Sequence, residues 1–190
     1  MRLKMIEHKS WDLYFLRIAR EVSKRSKCMS RQVGAALVKD KAIISTGYNG
    51  PARGMKHCNE RNIQFYCDLD YQYKNSMIST TGNYEPTICP RKKCGYQSGQ
   101  GLHLCQAGHA ERNALIQSAR NGISTKGTTL YCYCCRPCKD CMIEIINAGI
   151  STLVYLIVDK DYDPYSATLL DESNIVTRVY KEIELLEEIK

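Results

Sequence analysis

Nowhere does the sequence contain an apolar run long enough to span a bilayer, and its opening residues, Met1 to Lys9, lack the apolar stretch of a secretory signal. Both absences argue against membrane insertion and make the cytoplasm the expected compartment. Charge of one sign is short: 20 Asp and Glu face 27 Lys and Arg, a formal net charge of +7. That balance suits a phosphorylated ligand or a nucleic acid without choosing between them. A disulfide framework is not expected either, because the eleven cysteines are odd in number and no export signal accompanies them. Cysteines in that setting point to metal ligation. With 190 residues and 44% hydrophobic content, one domain over 1–190 has enough chain for a packed core.

Two short stretches carry chemistry, Ala107-Gly-His-Ala-Glu-Arg-Asn113 and Arg136-Pro-Cys-Lys-Asp-Cys141. His109, Cys138 and Cys141 supply one nitrogen and two thiolates, a set suited to tetrahedral zinc with its fourth position open to water. A structural zinc site closes all four positions, so this count is a catalytic one. Glu111, two residues after the histidine, can stand beside the metal without binding it and carry protons.

Each stretch reads as a helix start. Apolar residues at 110, 114, 115 and 119 have helical spacing, which puts His109 in or just before a first turn, and Arg120-Asn-Gly122 supplies a basic residue and a glycine to end the helix. Pro137 reads as a first helical residue, followed by the apolar face of Met142, Ile145 and Ile146 up to Gly149. Ligands at two helix N-termini would lie where unpaired N–H groups and the macrodipole favour thiolate.

Around these stretches the pattern alternates. Ser10 caps an expected helix to about Arg25, with Trp11, Phe15 or Tyr14, Ile18 and Val22 as its buried stripe. Residues 33–38 and 42–48 read as a hairpin turning near Lys39-Asp-Lys41. The loop Gly47 to Gly54 follows, with Asn49 offering a donor and an acceptor and glycines that let backbone approach a ligand. Strands are expected at 128–133, 151–158 and 175–179, a short helix around 167–172, and a small docking helix using Leu185, Leu186 and Ile189. Strand, helix and strand in succession argue a parallel crossover. The expected fold class is α/β: a three-layer α/β/α sandwich on a five-stranded mixed sheet, with the zinc-bearing helices on one face.

Residues 56–108 have poor periodicity and heavy punctuation, and they hold Cys58, Cys67, Cys89, Cys94, Cys105, His57 and His103. A loop that long is expected to be disordered, functional or stapled, and stapling by a second metal is the economical explanation. Tyrosines at 66, 71, 73, 84 and 96 give it aromatic surface for another subunit.

Taken in order, Val33-Gly-Ala35, Gly47-Tyr-Asn-Gly50, His109-Ala-Glu111 with Asn113-Ala114, Leu130-Tyr131, Pro137-Cys138 to Cys141 and Ile146-Asn-Ala-Gly-Ile150 resemble the cytidine/deoxycytidylate deaminase superfamily. Within it, the Tyr-Asn-Gly loop and the long insertion are most similar to the deoxycytidylate (dCMP) deaminases and their competence-operon-like bacterial relatives. H-x-E with P-C-x-x-C is the signature of zinc nucleobase deaminases. The resemblance covers roughly residues 10 to 158. It implies a cytidine-deaminase-like fold and hydrolysis of dCMP to dUMP and ammonia, which supplies thymidylate synthesis.

Carried over by position, the resemblance makes His109, Cys138 and Cys141 the zinc ligands and Glu111 the proton shuttle. Asn49 would hold the deoxyribose end, and Arg120 would stand near the nucleotide phosphate, acting across a subunit interface. Cys28 and Cys58 match cysteines of a second, structural zinc site, which Cys89 and Cys105 best complete, with His103 or Cys94 as replacements. The family also implies a homo-oligomer, from dimer to hexamer, with dCTP and dTTP as effectors. Two departures bear on substrate choice: Arg112 replaces a usual leucine, and Tyr133-Cys-Cys-Arg136 replaces the usual run before Pro137. A deaminase of dCTP, one of single-stranded nucleic acid or tRNA, and a zinc-stapled binding protein are the alternatives. The cysteine- and glycine-rich insertion suits a closed nucleotide pocket better than the open basic groove a nucleic acid requires.

Overall fold

A computed structural model of the chain describes residues 10–60, 89–97, 100–157 and 163–187. Its centre is a five-stranded sheet. Strands β1 (Gly34–Lys39) and β2 (Ala42–Tyr48) form the expected hairpin, turned by Asp40 and Lys41 at positive φ. β1 also pairs antiparallel with β3 (Thr129–Tyr133), which runs parallel to β4 (Thr152–Leu156) and through it to β5 (Val176–Tyr180). The strand order is β2-β1-β3-β4-β5. Helix α1 (Trp11–Ser23) precedes the sheet, and α2 (Pro90–Lys93) lies in the insertion. α3 (Ala110–Arg120), α4 (Lys139–Asn147), α5 (Tyr165–Glu172) and α6 (Glu182–Glu187) complete the order. Expected boundaries fall within about two residues of these at most element ends. Among the described residues no helix is long and apolar enough to cross a membrane.

The sheet separates two cores. On one face Ala110 and Ala114 of α3 and Cys141, Met142 and Ile145 of α4 pack on Leu37, Leu130 and Leu153. On the other, Leu13, Phe15, Leu16 and Ala19 of α1 and Leu185 of α6 pack on Ala36, Tyr131 and Val154. Each fully buried Leu, Ile or Phe contributes about 1.5–3 kcal/mol, so these faces hold the layers together. The three-layer α/β/α arrangement and the mixed sheet are as the sequence leads one to expect, with α3 and α4 on one face.

Two glycines set how closely the helices approach. A Cβ on Gly34 would lie 2.0 Å from the Ala19 carbonyl oxygen, and one on Gly47 would lie 2.2 Å from the Ala110 carbonyl oxygen and 2.4 Å from the Ala114 nitrogen. Backbone thus rests on backbone on both faces. This close approach corrects the expected stripe of α1. Small residues, Ala19 and Ser23, must meet the strand, so the buried face runs through Leu13, Phe15, Leu16, Ala19 and Ser23. Trp11 and Tyr14 stay about half exposed, and Ile18 and Val22 lie only partly buried. Ser10 occupies the N-cap position without a side-chain cap bond.

Asp12 is buried between α1 and the sheet and accepts hydrogen bonds from Tyr131 Oη (2.9 Å), Tyr180 Oη (2.9 Å) and Arg178 Nε (2.5 Å) and Nη2 (2.9 Å). Burial alone would raise its pKa, but those donors outweigh it and hold the carboxyl below the usual range. Cys67 and the tyrosines at 66, 71, 73 and 84 lie outside the described residues, as does Ile189.

Two outcomes follow from this packing. Asp12→Asn removes a charge that ties β3 and β5 to α1, so it lowers stability at pH 7 by about 1–3 kcal/mol in chemical denaturation. A depressed folded pKa contributes stability above the unfolded value of about 3.9 and loses it as pH falls through the folded value, so the difference between the two proteins shrinks below about pH 4. Gly47→Ala forces α3 off β2. It should cost about 1–3 kcal/mol or more and release bound zinc at lower chelator concentration, whereas an unchanged melting temperature and zinc retention would refute the close contact.

Candidate metal centre and cleft

The two chemical stretches meet because two helices begin at the same end of the sheet. His109 is the N-cap of α3 and Cys138 the N-cap of α4, both with extended backbone (ψ 156° and 166°). Each carbonyl accepts the first helical hydrogen bond, from Asn113 N (3.0 Å) and Met142 N (2.8 Å). Pro137 therefore stands before the cap and is not the first helical residue. Cys141 follows in the first turn of α4, buried to 1% exposure, and Glu111 in the first turn of α3, at 4%.

His109 Nδ1 lies 3.4 Å from Cys138 Sγ and 3.4 Å from Cys141 Sγ, and the three ligand atoms fall within 4.8 Å of one another. Zinc–nitrogen and zinc–sulfur bonds of about 2.0–2.1 and 2.3 Å at a tetrahedral angle require an N···S separation of about 3.5–3.6 Å. The residues present fit zinc, with Nδ1 as the histidine donor. Glu111 Oε2 is 4.0 Å from Cys141 Sγ, beside the ligands and not among them.

Electrostatics favour a cation here. A hydrogen bond from Cys141 and the neighbouring His109 bring Cys138 down to about 4 against the effect of burial. The Cys138 partner, burial and Glu111 push the Cys141 thiol up. The Cys138 sulfur in turn raises the pKa of His109. Burial raises that of Glu111. A divalent ion among these groups would release the remaining thiol proton and relieve the repulsion between sulfur and carboxylate.

Several backbone and side-chain contacts hold His109 in place. Gly50 and Gly108 form a two-bond bridge, Gly50 N to Gly108 O at 3.1 Å and Gly108 N to Gly50 O at 2.8 Å. Asn113 Nδ2 donates to Tyr48 O at 2.8 Å. Gly47 and Gly50 of the 47–54 loop thus serve helix packing and this bridge, α3 lying against Gly47. In the sequence Asn113 serves only as part of the resemblance and receives no structural role, although its position four residues after His109, on the same helix face, is a usable signal. Arg112 also finds its explanation. It makes a two-pronged ion pair with Glu144 of α4 (2.9 Å to each oxygen), so this departure ties the two ligand-bearing helices together.

A cleft of about 140 Å³ opens beside the ligands, with His109, Glu111 and Cys138 in its wall. Asn49 lines it, but its Oδ1 accepts from Val33 N (2.8 Å) and its Nδ2 donates to Arg31 O (2.9 Å), so it also pins the loop before β1. Arg120 does not line the cleft. It is exposed at the far end of α3, about 16–17 Å along the helix from His109 at 1.5 Å per residue. Cys28 and Cys105 line the same cleft, whereas Cys58 and Cys89 do not. Among the described residues His109, Cys138 and Cys141 are the one group of three or more ligand-type side chains gathered closely enough for a metal, so Cys28, Cys58, Cys89 and Cys105 are not brought together. Arg31 and Arg91 line the cleft without having been singled out in the sequence, and Arg136, the last residue of the departure before Pro137, joins them.

Residues 9–157 match the model of the cytidine and deoxycytidylate deaminase zinc-binding region. The chain is 34% identical over 171 residues to the deoxycytidylate deaminase of Schizosaccharomyces pombe and 32% identical over 173 residues to that of Saccharomyces cerevisiae. Each alignment takes in 90% of this chain, which spans 44% and 45% of those two relatives. Identity to the enzyme of Enterobacteria phage T4 is 35% over 147 residues, 74% of either chain. The dCMP deaminase of cyanophage S-TIM5, solved with dCMP and dUMP, superimposes with a TM-score of 0.60 at 21% identity, covering 88% of this chain and 94% of that one, and so shares its fold. With its ligand triad and adjoining glutamate at the starts of two helices on one sheet face, this chain belongs to the cytidine and deoxycytidylate deaminase family.

Proposed function

We propose that the protein is a zinc-dependent dCMP deaminase, converting dCMP and water to dUMP and ammonia and so supplying thymidylate synthesis. The observation that carries this reading is the buried carboxylate of Glu111 beside the His109, Cys138 and Cys141 ligand atoms, at the wall of a cleft. When bound there, zinc would act as a Lewis acid that makes water a nucleophile near neutral pH. Glu111 accepts a proton from the attacking water and passes it to ring nitrogen 3 of cytosine, which makes carbon 4 electrophilic. After the water oxygen bonds to carbon 4, the same carboxyl carries a proton to the exocyclic amine, which leaves as ammonia. Burial raises the pKa of Glu111 above the ordinary carboxylate value.

The reading extends to one domain over 1–190 with an insertion at about 56–108, a homo-oligomer in the cytoplasm, and dCTP and dTTP as effectors. Exposed Ile116 of α3 and Ile143 of α4 support contact with another copy. Arg120, exposed at the end of α3, could serve a nucleotide only in the cleft of such a copy. A second zinc held by Cys28, Cys58, Cys89 and Cys105 is part of the proposal; it rests on the resemblance and requires these thiols to draw together from the positions described, where of the four only Cys28 and Cys105 share the cleft wall.

Ammonia release from dCMP, dCTP, deoxycytidine, CMP and a cytosine oligonucleotide tests the substrate. The highest kcat/KM is expected for dCMP, and a preference for dCTP or the oligonucleotide would overturn it. Glu111→Gln should keep its zinc and fold but lose turnover by about 10²-fold or more, and near-normal turnover would remove the proton role. Elemental analysis should give two zinc ions per chain, falling to one in Cys58→Ser; a clean value of one in the unaltered protein removes the second site.

A further inference from the structure

The cleft is cationic in a way that the deamination chemistry does not use. Arg31 reaches it from the loop before β1, Arg91 from α2 in the insertion, and Arg136 from the segment after β3. Among the described residues Glu111 is the sole acidic one in the lining, and it is buried beside the ligands.

The three arginines differ in what their donors already do. Arg136 is committed: Nε donates to Ser166 Oγ at 2.8 Å and Nη2 approaches Asp163 O at 3.4 Å, which fastens the ligand loop to the start of α5. Arg91 gives Nη1 to Gln100 O at 2.6 Å, but its Nε is buried and, among the described residues, has no hydrogen-bond partner. A buried N–H without an acceptor costs about 1–3 kcal/mol and marks a place where an acceptor belongs. Among the described residues the Arg31 guanidinium makes one long contact, Nη1 to Cys135 Sγ at 3.9 Å, while its backbone carbonyl is held by Asn49 Nδ2. Its guanidinium is therefore anchored at the base and available at the tip.

A phosphate monoester carries about −1.5 to −2 charges and three acceptor oxygens, the ligand that paired guanidinium forks recognise best. We propose that Arg31 and Arg91 hold the 5′-phosphate of the substrate nucleotide, so that the cysteine-rich insertion, through α2, reads the phosphate in the same chain that supplies the metal ligands. This rests on the reading of the protein as a dCMP deaminase. It assigns Arg31 and Arg91 to binding and specificity, with Asn49 as the residue that positions Arg31.

The test compares the unaltered holoenzyme with Arg31→Ala, Arg91→Ala and Arg120→Ala, zinc content being measured on each sample. Arg31→Ala and Arg91→Ala should each raise KM for dCMP about tenfold or more with kcat within roughly threefold, and leave kcat/KM for deoxycytidine unchanged. Inorganic phosphate should compete with dCMP in the unaltered enzyme and lose potency in both variants. Unchanged KM for dCMP, equal losses on dCMP and deoxycytidine, or phosphate inhibition indifferent to both arginines would overturn the assignment, as would Arg120→Ala alone reproducing the loss. Should deoxycytidine turn over too slowly to follow, the KM-against-kcat split and phosphate competition decide. An unaltered protein that releases no ammonia from dCMP fails the proposed reaction itself, a different result from an active enzyme whose arginine variants ignore the phosphate.

Discussion

Helix α3 lies on β2 at backbone distance, its Ala110 carbonyl and Ala114 nitrogen against Gly47, and the metal centre depends on that contact. Any side chain at 47 would lift the helix that carries His109 and Glu111. The partner ligands are fixed from the other side of the same face, where Met142 and Ile145 bury α4 against Leu130 and Leu153. Arg112 and Glu144 then lock α3 to α4 across their outer surfaces. Ligand spacing is thus a product of sheet geometry and close packing.

Charge explains why the arrangement suits a metal. One histidine, two sulfurs and a carboxylate crowd into a largely dry space, and their pKa values are displaced in opposite directions. Such a cluster is costly without a cation and satisfied with one, so the folded frame pre-pays part of the ordering that metal binding requires. Glu111, set back from the ligand atoms, keeps its freedom to exchange protons.

Much of this was legible in the residues. His109, Glu111, Cys138 and Cys141 share two short stretches, each at a helix start, so local spacing sufficed to group them. The five-stranded mixed sheet and its parallel crossover followed from strand-like runs separated by helical ones, whereas the order of the strands did not. The buried face of α1 was not legible, because the glycine that lets Ala19 and Ser23 rest on the strand lies on another element. The grouping of the cleft arginines was missed for a similar reason: 31, 91 and 136 are far apart in sequence, and only the folded chain brings them to one cleft. The four cysteines assigned to a second site share no local spacing, and their positions rest on resemblance alone.

The paired hydrogen bonds between Gly50 and Gly108 draw the two ends of segment 51–107 together at a narrow neck. Closing a flexible loop costs only slightly more as it lengthens. Residues beyond the neck can therefore be added, trimmed or exchanged while His109, one residue past it, keeps its place. The catalytic frame and the segment that faces the ligand are in this sense separable parts, and a grafted loop joined at those two glycines would present new recognition chemistry to an unchanged metal centre.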